Sequence, residues 1–200
     1  MPAVKYLPDN YLHAKTLDLS GSKAILWMNF AAIPLLFIYG WLFYHLIRTM
    51  NPLIPIQVGI HRLFTAFSLL ELFLCILAIA LMLVLHELVH GIFFWLFTRE
   101  KPRFAIKPGY AYAAAPEWYF TRLQYIIVGL APLLIISLAS LIMAASSAYA
   151  IVAYFLIIAT FNAAGSLGDI IVVVWVLRQP KNILVSDKGD IFITFSPSRV

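Results

Sequence analysis

Charged side chains are scarce in this chain. Asp, Glu, Lys and Arg make up 12% of its 200 residues, against roughly 25% in an ordinary soluble domain. Hydrophobic types reach 63%, with a mean hydropathy of +0.92. That balance excludes a soluble core with a solvated surface: lipid must be the solvent for most of the protein. Cysteine is almost missing as well. Cys75 is alone, inside an apolar run, which excludes an internal disulfide framework and leaves it as a packing or lipid-facing residue. No repeat, low-complexity tract or flexible linker divides the chain, so a single membrane-embedded domain over residues 1–200 is expected. The N-terminal stretch MPAVKYLPDNYLHAKTLDLSGSK lacks the short apolar core and small-residue cleavage site of a secretory signal. The first hydrophobic segment is therefore expected to remain as an anchor.

What the chain has in abundance is long apolar runs. A span needs about 20 residues, and four segments qualify: residues 24–47, 67–97, 125–145 and 148–177. The expected fold class is an all-α membrane protein with about four transmembrane helices. Fourteen basic residues give a net charge of +5, but their placement is topological. Lys5, Lys15 and Lys23 precede the first span. Arg99, Lys101, Arg103, Lys107 and Arg122 lie between the second and third, and Arg178, Lys181, Lys188 and Arg199 follow the fourth. Only Arg48 and Arg62 fall on the opposite side. The positive-inside rule then places both termini in the cytoplasm and makes the bilayer, not nucleic acid, the partner of this basic excess.

Two segments outside the spans read as extended. KPRFAIKPGYAYAAAP, residues 101–116, mixes aromatic and small residues with Pro and Gly and suits short strands. Pro116 and Glu117 resemble a helix start, with Trp118, Tyr119 and Phe120 as interfacial anchors. Near the C-terminus, residues 183–185 and 191–195 flank DKGD and predict a small cytoplasmic β-hairpin, read as a cap without chemistry.

Against this background residues 86–90, HELVH, stand out, because ionisable groups within a span cost about 2.5–3.5 kcal/mol each on insertion scales and mark function. His86 and His90 are i and i+4, hence neighbours on one helix face, as two ligands of one zinc ion require. Glu87 flanks that face, placed to take a proton from a water rather than to bind the metal. A catalytic zinc usually has a third protein ligand. The spans hold only three carboxylates, Glu71, Glu87 and Asp169. Glu71 is fifteen residues from His86 on the same helix, roughly 22 Å away, and a structural role suits it better. Asp169, on a different span, remains as the third ligand. Depth agrees: His90 lies nine residues before Arg99 and Asp169 nine before Arg178, each about 13 Å from the same edge.

In NAAGSLGD, residues 162–169, Asn162, Ser166 and Asp169 share a face. Asn162 either holds a substrate carbonyl, steadies the Asp, or packs the spans together. Gly165 and Gly168 permit a close backbone approach or a loosened helix. Haem is excluded as a reading of the pair, since two His at i and i+4 cannot reach opposite faces of one iron. His13, His45 and His61 read as ordinary interfacial residues.

At HELVH, the extended segment after it and the Asp two spans later, the chain resembles the site-2 protease group of intramembrane zinc metalloproteases. More closely, it resembles a family of short bacterial membrane proteins described as zincin peptidases. The resemblance covers about residues 67–177. It implies His86, His90 and Asp169 as zinc ligands, Glu87 as general base, Asn162 as the group's upstream Asn, and a multi-pass location in the bacterial cytoplasmic membrane. The chain departs from the group where Ile170 follows Asp169 and where no proline lies between Asn162 and Asp169. The expected activity is hydrolysis of peptide bonds in membrane-protein or peptide substrates near the cytoplasmic face. The rivals are a pseudoprotease that binds membrane clients, which would not need Glu87, and a metal transporter. The latter is disfavoured by the apolar IVAYFLIIAT of span four.

Overall fold

A computed structural model of the protein describes residues 3–52, 68–107, 110–147 and 149–198. The expectations for His61, Arg62, Phe67, Ala148 and Arg199 lie outside the described residues. In chain order the elements are β1 (Tyr11–Asp18), α1 (Ser22–Met50), α2 (Leu69–Thr98), β2 (Arg103–Lys107), β3 (Tyr110–Ala114) and β4 (Tyr119–Thr121). They continue with α3 (Arg122–Ser146), α4 (Tyr149–Gly165), α5 (Leu167–Leu177), β5 (Leu184–Asp187) and β6 (Ile191–Pro197). Among the described residues three helices, α1, α2 and α3, are long and apolar enough to cross a membrane; α4 and α5 taken as one bent span make a fourth. Long rows of large apolar side chains on α1 and α2 stay exposed, Trp27, Phe37, Trp41, Leu70 and Phe73 among them, as lipid-facing helices require.

The helix ends follow local chemistry. At the start of α2, Ser68 Oγ accepts from the Glu71 N–H at 3.2 Å, while the Glu71 carboxylate accepts from the Ser68 N–H at 3.0 Å. This reciprocal capping box satisfies two otherwise orphaned donors and gives Glu71 its structural role. The helix stops at Arg99, whose φ of 59° is left-handed and whose N–H reaches the Trp95 carbonyl at 2.7 Å. A second box starts α3, where the Thr121 N–H donates to Gln124 Oε1 at 2.9 Å. Helix therefore begins after Thr121, not at Pro116. Residues 119–121 pair as a strand, and Phe120 turns into the core at 0% exposure instead of anchoring at an interface. The fourth span is also not one helix. Ser166 Oγ bonds back to the Asn162 carbonyl at 2.9 Å, between Gly165 and Gly168, and α4 ends there. Asp169 consequently opens α5.

The chain divides into two compact units, and α2 and α3 each contribute to both. One unit, Met1–Asn29, Glu87–Pro132 and Leu167–Val200, contains all the strands among the described residues. Its four-stranded antiparallel sheet has the order β1-β6-β5-β4, so the anticipated C-terminal hairpin is the centre of a sheet. The N-terminal tail, polar and mixed in charge, supplies β1, and the Val4–Tyr119 bridge extends the other edge. β2 and β3 form a separate two-stranded ribbon where the extended segment was expected. The core of this unit joins Phe94 of α2, Phe120, Tyr125 and Val128 of β4–α3, Val172 and Val176 of α5, and Val185 and Phe192 of the sheet. The second unit, Phe30–His86 and Leu133–Ser166, is purely helical among the described residues. Phe43 packs with Ala159 and Ala163, and Ile47 with Ala144 and Val152, the small residues allowing helices to approach closely.

Phe120 lies 5.2 Å, centroid to centroid, from Phe94 and 6.4 Å from Tyr125. Its truncation to Ala is expected to cost about 3–5 kcal/mol, read as a lowered midpoint of thermal unfolding in detergent; an unchanged midpoint would contradict this core.

Candidate metal centre

HELVH lies whole within α2, so His86 and His90 stand one turn apart on one face. His86, His90 and Asp169 each offer one ligand atom, and these atoms lie within 4.8 Å of one another. Both imidazoles are buried, and Glu87 is half-buried between them along the helix.

Each ring is oriented by a partner on its Nδ1. His90 Nδ1 lies 3.0 Å from the Val128 carbonyl of α3. A carbonyl can only accept, so Nδ1 carries a proton and donates, which leaves Nε2 as the nitrogen that could hold a metal ion. His86 Nδ1 lies 3.0 Å from Asn162 Oδ1. On its other side the Asn162 amide donates through Nδ2 to Ser137 Oγ at 3.0 Å. Asn162 is 0% exposed. Metal-ligating His residues characteristically donate the second ring nitrogen in this way, which sets tautomer and orientation.

His90 Nε2 and Asp169 Oδ1 stand 3.4 Å apart. Two ligands bound to one tetrahedral zinc at about 2.0–2.1 Å are separated by about 3.3–3.4 Å. The donor set, two imidazoles and one carboxylate, is one that catalytic zinc uses, so the residues present fit the ion.

The approach of α3 to α5 depends on one glycine. A Cβ built at Gly129 would meet Val173 Cγ2 at 2.6 Å and the Asp169 carbonyl at 4.0 Å. Gly129 follows the residue whose carbonyl holds His90, so the absence of a side chain there lets the two helices close around the site. Gly165 has nothing within 4 Å of such a Cβ and Gly168 only the Met28 sulfur at 3.9 Å. The close approach thus comes from a glycine other than the two in NAAGSLGD.

Sequence reasoning also missed an acid. Asp187, the last residue of β5, is buried and accepts from the Tyr125 hydroxyl at 2.7 Å and the Gly189 N–H at 2.6 Å. Burial pushes its carboxyl up to about 6; the Tyr125 and Gly189 hydrogen bonds act in the opposite direction. It is near enough to His90 and Asp169 for their charges to act on it. Nothing in the pattern DKGD distinguishes Asp187 from an ordinary turn residue; its role comes from tertiary packing.

Comparison with known proteins adds an independent finding. A family model described as "Putative zincin peptidase" matches residues 79–184, more than half the chain. The chain belongs to this zincin peptidase family. The match takes in HELVH, the β2–β3 ribbon, Asn162 and Asp169, and ends within β5. No curated protein matches. No solved structure matches either.

If Gly129 is the point of closest approach, Gly129→Leu should separate α3 from α5 and lower the metal content of the purified protein well below that of the parent. Elemental analysis of detergent-purified protein checks this, and full metal content in the variant would contradict it.

Proposed function

We propose that the protein is an intramembrane zinc metallopeptidase, similar in its site to the site-2 protease group, that cleaves membrane-associated polypeptides near the cytoplasmic face. The observation that carries the reading is the 3.4 Å Nε2–Oδ1 separation of His90 and Asp169 beside a glutamate within HELVH. In this reading His86, His90 and Asp169 hold the ion. Asn162 acts as a positioning residue through His86 and does not touch substrate. Zinc bound there supplies a lowered pKa for a water and polarisation of the scissile carbonyl.

Glu87 then takes the proton of the attacking water and delivers it to the leaving amine. The base is what separates this reading from a pseudoprotease, which would need the ligands but not the acid between them. Helical substrates hide their peptide bonds and must be extended before cleavage. The β2–β3 ribbon supports a way to do so: its strands pair only with each other among the described residues, so an outer edge can take an added strand. Phe104 of β2 packs at Gly91, where a Cβ would lie 2.5 Å from its ring, one residue beyond His90. The bilayer is the second partner. The basic residues gather on the strand-bearing side of the spans, which the positive-inside rule assigns to the cytoplasm.

Detergent-purified protein should carry about one zinc per chain, and Asp169→Ala should lose most of it. Glu87→Gln should retain the metal and lose cleavage of a co-expressed panel of tagged single-span membrane proteins. Retained zinc in Asp169→Ala would overturn the ligand set, and retained cleavage in Glu87→Gln would overturn the base.

A further inference from the structure

The β2–β3 ribbon poses a physical problem. It belongs to no larger sheet among the described residues, and an isolated pair of strands is marginally stable in water. Phe104, near one end of the ribbon, packs at Gly91 of α2; against the other end lies the turn between β5 and β6, residues 187–190. Asp190 Oδ2 accepts from Lys107 Nζ at 2.6 Å and from the Tyr110 hydroxyl at 2.8 Å. Lys107 and Tyr110 are register partners, the last residue of β2 and the first of β3, so one carboxylate grips both strands at the same rung. Lys107 Nζ also lies 5.4 Å from the Tyr112 ring centroid and 5.8 Å from that of Tyr110. Beside it Gly189, at φ +101°, leaves room for Tyr112: a Cβ there would sit 2.3 Å from the ring. Lys188 reaches the Pro116 carbonyl, beyond the end of β3.

The same turn faces the opposite way through Asp187. Its carboxylate takes the Tyr125 hydroxyl, and Tyr125 stands one helical turn before Val128, which orients His90. Backbone bonds make the turn rigid: the Lys188 N–H donates to the Ile191 carbonyl at 3.0 Å, and the Leu19 N–H to the Asp190 carbonyl at 2.9 Å.

We propose that the β5–β6 turn is a clamp that sets the β2–β3 ribbon against the metal-bearing helices, with Asp190 as the positioning residue that holds the ribbon and Asp187 as the anchor on Tyr125. The proposal rests on the reading of the ribbon as the substrate-receiving strand pair. The specificity of the enzyme would then depend on a segment largely beyond the part of the chain that the family model matches.

The test separates the clamp from the peptidase reading. In a Cys75→Ser background, a nitroxide on Ile106→Cys, a site 90% exposed in β2, reports ribbon motion by electron paramagnetic resonance. Asp190→Ala should sharpen the spectrum, and Lys107→Met should do the same, which covers the case in which the first variant folds poorly. Zinc content should stay at the parent level. With labelled casein as an unfolded polypeptide probe, KM should rise about five- to tenfold while kcat changes little, and Asp190→Glu should restore part of the loss. An unchanged nitroxide spectrum in both variants overturns the clamp. A sharpened spectrum, with casein left intact by the zinc-loaded parent, upholds the clamp and counts against the peptidase reading alone.

Discussion

Polar groups brought among apolar helices must be satisfied where they lie, because lipid offers no hydrogen bonds. Two imidazoles and a carboxylate are carried into such surroundings here, and much of the structure can be read as the answer to that demand. Val128 gives up a backbone carbonyl to one ring, Asn162 gives its amide oxygen to the other, and Ser137 steadies the Asn. Each of these partners sits on a helix other than α2, so satisfying the rings also decides which helices must lie beside it. Gly129 permits the approach that the carbonyl demands, and the Ser166 break lets Asp169 stand at the opening of a new helix.

Strands and helices divide the work. The helices supply the candidate ligands and the groups that orient them; the sheet supplies rigidity at one end. Its central hairpin presents a buried Asp to one neighbour and a salt-bridged Asp to another, within four residues. The buried one is costly, since its carboxyl is displaced toward the neutral form. The ion pair between the exposed Lys107 ammonium and Asp190 contributes more to alignment than to stability.

Much of this was legible in the sequence, and the reasons are specific. The spans were visible because about twenty apolar residues in a row fit few surroundings besides lipid. HELVH and Asp169 stood out because ionisable groups are rare in such runs, and the fold brings one ligand atom of each of His86, His90 and Asp169 within 4.8 Å of the others. What could not be read came from pairings between distant residues. β1 is a polar stretch whose strand character comes from pairing with β6, nearly the whole chain away. Phe120 reads locally as an interfacial anchor because its burial depends on Val185 across the sheet. Gly129 and Asp187 carry no local mark at all: one matters for what Val173 needs, the other for where Tyr125 points. Asn162 stands out in the sequence as a polar residue in a span, but its attachment to His86 required the fold.

The junction of β4 and α3 has no loop. Thr121 is at once the last residue of the strand and the cap of the helix, so the sheet and the helix share a single phase. Each residue of an α-helix advances the chain by about 100° around the axis. One residue inserted at that junction would turn the Val128 carbonyl by that angle away from His90, and Tyr125 away from Asp187, while leaving every strand and every span intact. The boundary between the sheet and an apolar helix is therefore an index mark for the candidate metal site, and length variation in this family should avoid it.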